Sequence, residues 1–198
     1  MSGEAPANLL VMLSGAGRTL EYLCDAIQRG ELHAHIPIVV ASRECPGAEK
    51  ARRRGIETLV REGGLDATEL DGIVASRAID WVVLAGYRRL LPITARVRGR
   101  VVNIHPALLP RFGGAGMHGM RVHEEVARSA AAGAISETGC TVHLADDGYD
   151  TGPIIEQRRC PVRSGETPET IAARVFELEK ACYPSALGKL IRADATRT

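Results

Sequence analysis

"VVNIHPALLPRFGG", residues 101–114, begins as a buried strand and stops abruptly. Val101, Val102 and Ile104 are residues that a sheet core takes, yet Asn103 and His105 interrupt them just before Pro106. Side chains two apart in a strand share one face, so the amide and the imidazole point the same way. Pro106 stops the ladder and pushes His105 toward extended backbone, and Pro110 stiffens the next segment. An amide donor beside an imidazole suits acyl-type chemistry. Both can donate to a developing oxyanion, and the imidazole also moves a proton near neutral pH. A satisfied core histidine next to an asparagine that caps a turn accounts for the same residues without chemistry. On this stretch alone both readings stand.

Outward from it, short apolar bursts alternate with amphipathic stretches. Strands are expected at 8–13, 36–41, 56–60, 80–85, 100–105, 140–145 and 153–162, and helices near 19–29, 46–54, 66–77, 88–98, 117–132 and 168–191. Thr167 is placed to cap the last helix, and Pro168 suits its first position. The first five strands are apolar on both faces and separated by helices, which describes an α/β fold with a mainly parallel sheet covered on both sides. The last two alternate more, as an antiparallel addition at one edge would. With no repeat or linker, one domain is expected over 1–198, with 1–7 flexible and 193–198 a tail. Ligands of such sheets bind beyond the carboxyl ends of the strands, where strand order reverses.

Bulk properties narrow the classes of function. The 25 basic and 24 acidic residues leave a formal charge of +1, which argues against a polyanion such as nucleic acid as the main partner. Five cysteines without a C-x-x-C pair suggest reduced thiols in a cytoplasmic protein. The opening residues lack the form of a secretory signal. No apolar run approaches the ~20 residues of a membrane helix.

Two further stretches carry chemistry. Ser14-Gly15-Ala16-Gly17 joins the first strand to a helix, where a tight turn brings N–H groups and the helix N-terminus to an anion, with Arg18 and Thr19 alongside. Leu20 occupies the place of the third glycine of a dinucleotide fingerprint, and Ala41-Ser42-Arg43 offers no ribose-gripping carboxylate. A phosphate monoester fits better than a dinucleotide, and a turn that binds nothing is the plain alternative. "LADDGYDTGPII" (144–155) places Asp146, Asp147 and Asp150 in one glycine-rich turn. It lacks the ligand pattern of a calcium loop, and His143, Asp146 and Asp150 make no clear transition-metal set, so no metal is expected. A solvated acidic turn competes with one carboxylate acting as partner of His105.

"LSGAGRTL", "LAGYRRLL", "NIHPALLPRF", "TGCTVHLADDGYDTGPII" and "PETIAARVFELEKACYPSAL", in this order, run from about residue 9 to 191. Together they resemble the 10-formyltetrahydrofolate-dependent formyltransferase family, and within it the branch that formylates glycinamide ribonucleotide in de novo purine synthesis. The resemblance implies a Rossmann-like sheet and 10-formyltetrahydrofolate as co-substrate. It implies Asn103, His105 and Asp150 as the catalytic trio, with Asn103 and a protonated His105 stabilising the oxyanion and Asp150 keeping His105 charged. It assigns the substrate phosphate to Gly15, Ala16, Gly17, Arg18 and Thr19. Folate falls to Arg88, Arg89, Leu90 and Leu91 and to the main chain around Asp146 and Asp147. Small-molecule substrates are then the partners, with neither nucleic acid nor membrane, and a monomer or homodimer. Arg18-Thr19 replaces the family's usual Ser-Asn, Ala107 replaces a serine, and the segment from Pro110 to His123 is longer than the common form. That segment makes His118 and His123 candidate substrate contacts. Competing readings are a formyltransferase for an amino-sugar nucleotide and a non-catalytic nucleotide- or folate-binding module.

Overall fold

The computed structural model describes residues 5–196. In chain order it contains β1 (Ala7–Leu13), α1 (Arg18–Gln28), β2 (Ala34–Ala41), α2 (Pro46–Arg53), β3 (Glu57–Val60), α3 (Ala67–Ser76), β4 (Trp81–Leu84), β5 (Val101–His105), α4 (Met120–Ala131), β6 (Glu137–Leu144), β7 (Ile154–Pro161) and α5 (Pro168–Ala195). Seven strands follow the order β3-β2-β1-β4-β5-β6-β7. The sheet is mostly parallel, with β7 antiparallel to β6 at one edge. The fold class read from the sequence holds. The chain divides into two compact units, residues 1–102 with 187–198 and residues 103–186.

In the first unit β1 is the central strand, parallel to β2 on one side and to β4 on the other, and β2 pairs in parallel with β3. Leu9 to Leu13 are fully buried, as are Val39, Val40, Ala41 and Val83. Burial on both faces is why these strands read as unbroken apolar runs. Each large aliphatic side chain so buried contributes about 1.5–3 kcal/mol. Strand order reverses between β1 and β4, which opens the crevice beyond their carboxyl ends. Asp66 caps α3 by accepting the Glu69 N–H at 2.8 Å.

One expected helix is absent. Residues 88–94 are irregular and 95–99 form turns, with Thr94 N–H donating to the Pro92 carbonyl and Arg98 N–H to that of Thr94. Pro92 has no N–H and drives Leu91 out of helical backbone, so the amphipathic spacing around it never closes into a helix.

In the second unit β6 and β7 pair from Glu137 opposite Pro161 to His143 opposite Ile154, and the register shifts between Val142 and His143. α4 buries Val122, His123, Val126 and Ala130. α5 starts as expected, at Pro168, with the Thr170 N–H on Thr167 Oγ1 at 3.3 Å. It continues to Ala195, so the segment expected as a tail is helical that far; β1 likewise begins at Ala7. The remaining residues of both expected ends, 1–4 and 197–198, lie outside the described ones. No helix among the described residues is long and apolar enough to cross a membrane.

Candidate functional site

Asn103, His105 and Asp150 come together in the second unit. β5 carries the first two on one face, and the loop after β6 brings Asp150 to them. The Asn103 amide nitrogen lies 3.3 Å from Asp150 Oδ1, and His105 Nδ1 lies 3.4 Å from Asp150 Oδ2. Asp150 has a φ of 57°, a backbone setting that side chains other than glycine rarely adopt. Its Oδ2 accepts the Gly114 N–H at 3.1 Å. Strain of this kind persists where the surroundings dictate it, and here an amide, an imidazole and a main-chain N–H all meet one carboxylate.

A fourth member, His143, lies outside the trio that the sequence suggests. Its Nε2 is 3.1 Å from the Asn103 amide nitrogen and 3.4 Å from Asp150 Oδ1, while its Nδ1 is 2.9 Å from the Leu144 carbonyl. A nitrogen facing a carbonyl donates to it, so Nδ1 carries a proton, and Nε2 is left between the Asn103 amide and the Asp150 carboxylate. The register between β6 and β7 shifts beside His143, with the extra residue, Ile155, on β7. Periodicity assigns a histidine in a strand to the core, and its partner Asn103 lies 40 positions away, so no local signal pointed to the hub.

The Asn103 amide nitrogen thus has two partners within the protein, His143 and Asp150. His105 is similarly engaged. Its Nε2 lies 2.8 Å from the Phe112 carbonyl and so donates, and the residue is 3% exposed. Burial is the largest influence on its pKa and draws it below the ordinary 6.5, against the raising effects of Asp150 and the Phe112 carbonyl. Desolvation thus works against the role expected of Asp150 in keeping His105 charged. At Asp150 burial raises the pKa, but contacts with His143, His105 and the Gly114 N–H outweigh it and hold the carboxyl below its usual range.

The turn between Pro106 and Pro110 is pinned from β6 and β7. Thr141 Oγ1 donates to the Ala107 carbonyl at 2.7 Å and accepts the Leu109 N–H at 3.0 Å. Gln157 Nε2 donates to the Leu109 carbonyl at 3.0 Å and to Thr141 Oγ1 at 2.9 Å. Ala107 is fully buried. Asp146 serves its own loop, accepting Gly148 N–H at 3.0 Å and the Thr151 hydroxyl at 2.6 Å. Asp147 and His118 are exposed, whereas His123 is 6% exposed on the buried face of α4. Among the described residues, no group of three or more His, Cys, Asp or Glu is placed to hold a metal ion.

In the first unit, the loop after β1 has the form of an anion cradle. Gly17, at φ 72°, is the N-cap of α1 and supplies no side-chain cap, so the first amides of the helix stay open to a ligand. Gly47 in α2 packs directly on this loop, its N–H donating to the Gly15 carbonyl at 2.9 Å. A Cβ on Gly17 would lie 2.6 Å from Gly47 Cα, so the loop needs a glycine on each side of that contact. Gly47 carried no signal of its own in the sequence. Ala16 and Arg18 are exposed, Gly15 and Thr19 partly so. After β4, Arg88, Arg89 and Leu90 are exposed and Leu91 is buried.

Comparison with known proteins gives a consistent assignment. A chloroplastic phosphoribosylglycinamide formyltransferase of Vigna unguiculata is 37% identical over 184 residues, 88% of this chain, and the chain spans 58% of that relative's length. A phosphoribosylglycinamide formyltransferase of Mycobacterium tuberculosis is 37% identical over 201 residues, covering 98% of this chain and 89% of the relative. The crystal structure of glycinamide ribonucleotide transformylase 1 from Geobacillus kaustophilus superposes with a TM-score of 0.81 at 34% identity, over 93% of this chain and 98% of that one. The family model described as Formyl transferase matches residues 7–187, and the chain belongs to that family.

Proposed function

We propose that this chain transfers the formyl group of 10-formyltetrahydrofolate to the amine of glycinamide ribonucleotide, in de novo purine synthesis. The observation that carries the reading is the hub at the end of β5, where an amide and a buried imidazole meet a carboxylate held ionised. The names of the relatives support the acceptor.

In this reaction the amine nitrogen attacks the formyl carbon, the formyl oxygen takes up the charge, and the tetrahydrofolate nitrogen leaves. Asn103 releases its bond to His143 or Asp150 and donates to the oxyanion. A preorganised donor of this kind lowers the barrier by roughly 3 kcal/mol. His105, whose pKa burial draws down, takes up at Nδ1, the nitrogen not engaged by the Phe112 carbonyl, the proton that the attacking amine loses. The imidazolium so formed is stabilised by Asp150 and returns a proton to the departing folate nitrogen, so that no net proton remains on the enzyme. His143 fixes the direction of the Asn103 amide. We assign the substrate phosphate to Gly15, Ala16, Gly17, Arg18 and Thr19. Folate binding goes to Arg88, Arg89, Leu90 and Leu91 and, separately, to the main chain of Asp146 and Asp147. His118, exposed, remains a candidate substrate contact, while the burial of His123 argues for a packing role.

The family match spans both units, which supports one functional domain. Five free cysteines support a reducing compartment such as the cytoplasm, and we propose a monomer or homodimer acting there on small molecules. The test is formyl transfer from 10-formyltetrahydrofolate to glycinamide ribonucleotide, run beside a panel of amino-sugar nucleotides. Turnover confined to the ribonucleotide is expected. Turnover on a sugar nucleotide alone would move the acceptor, and folate binding without any turnover would make the chain a binding module.

A further inference from the structure

Three strand ends of the first unit meet at Ser14, which is 2% exposed. Its Oγ lies 2.7 Å from Ser42 Oγ, just after β2, and accepts the Arg88 N–H at 3.0 Å, just after β4. Its carbonyl accepts Arg43 Nε at 3.0 Å. That one bond fixes the Arg43 guanidinium beside the Ser14–Gly17 loop and occupies only one of its N–H groups.

The charges around Arg43 are distributed unevenly. Glu44, its neighbour in sequence, is taken by Arg52 through two bonds of 2.6 and 2.9 Å. Lys50 pairs with Glu21 at 2.6 Å and Arg54 with Asp25 at 3.0 Å. Among the described residues Arg43 has no carboxylate partner. It is thus an arginine already held in place, uncompensated, next to a glycine loop whose following helix has no side-chain cap.

We infer that Arg43 binds the phosphate of the acceptor substrate, reaching the anion from the end of β2 while its Nε holds the loop after β1. The inference rests on the proposed function and adds a side chain to the loop amides and Arg18. A guanidinium offers its fork to a phosphate dianion, and the Nε anchor spends part of the ordering cost before the ligand arrives. The same position in a dinucleotide-binding sheet carries an acidic residue for ribose hydroxyls. Arginine here selects phosphate instead.

The experiment compares wild type with Arg43→Ala and Arg43→Lys, using glycinamide ribonucleotide, its dephosphorylated ribonucleoside and, for calorimetry, ribose 5-phosphate. Arg43→Ala should raise KM for the ribonucleotide roughly 10- to 100-fold, the scale of a hydrogen bond to a charged group. It should weaken ribose 5-phosphate similarly, while kcat, the folate KM and turnover of the dephosphorylated acceptor stay at wild-type values. Arg43→Lys, which keeps charge but loses the Nε anchor, should fall between. An unchanged ribonucleotide KM in Arg43→Ala, an equal loss on both acceptors, or no binding of ribose 5-phosphate by wild type would overturn the assignment. Wild type that binds ribose 5-phosphate through Arg43 yet transfers no formyl group would instead overturn the proposed function.

Discussion

Asp150 is held at φ 57° with one oxygen facing Asn103 and His143 and the other facing His105 and the Gly114 N–H. Asp146, four positions earlier, spends its carboxylate on its own turn. These surroundings separate two residues that composition alone treats as equivalent. Asp150→Asn keeps the shape and removes the charge that stabilises an imidazolium, so steady-state kinetics should show turnover lowered by about 100-fold or more, the scale of a lost proton-transfer group. Asp146→Asn should lose much less, and equal losses would move the catalytic carboxylate elsewhere. The direction of the His105 shift yields a second expectation. Its folded pKa is below the ordinary 6.5, so between the two values the unfolded chain binds more protons and stability rises with pH. The stabilisation is complete above 6.5 and is lost as pH falls through the folded value; Asp150, also lowered, adds a loss below its ordinary 3.8. Thermal melting of wild type should therefore weaken on acidification below 6.5, and His105→Gln should flatten the upper part of that fall. A melting temperature that rises as pH drops from neutral would contradict the direction of the shift.

At the scale of elements, the loop after β1 depends on α2 as much as on its own glycines. A Cβ on Gly47 would come 2.8 Å from the Gly15 carbonyl and 2.9 Å from Leu13 Cδ1. Gly47→Ala should push the loop away and raise KM for the ribonucleotide while leaving that for the folate nearly unchanged. Equal effects on both would place the loop outside the phosphate site. Arg18→Ala should show the same selectivity, and no effect on either constant would remove Arg18 from the site. This level was only partly legible in the sequence. Short apolar bursts located every strand, and Thr167-Pro168 located the start of α5, because both signals are local. Residues 88–98 carry helical spacing but contain Pro92, and the backbone constraint prevailed over the apolar pattern. Gly47 was invisible because its reason is a contact with Gly15 and Gly17, distant in sequence. His143 was invisible as part of the hub because its partners Asn103 and Asp150 are brought to it by the fold, not by local spacing.

At the scale of the whole molecule, the family's segments lie in order along the chain, and the match covers residues 7–187. The acyl-type reading of Asn103 and His105 was available from residue chemistry, but the choice of Asp150 as their partner came from resemblance and is supported by the 3.3 and 3.4 Å separations. The charge state of His105 was not available, since it depends on how deeply the fold buries the ring. The central claim is that Asn103, unusual in an apolar strand, is there for the reaction. Asn103→Ala removes a shared partner from His143 Nε2 and Asp150 Oδ1, which should cost about 1–3 kcal/mol and lower the melting temperature by about 2–4 °C per kcal/mol. The deciding measurement is kcat per folded molecule for Asn103→Ala, with glycinamide ribonucleotide and 10-formyltetrahydrofolate both saturating. The account predicts a loss of about 100-fold or more, as for a missing oxyanion donor, with both KM values little changed. A destabilised variant that turns over at the wild-type rate would make Asn103 scaffold and contradict the account.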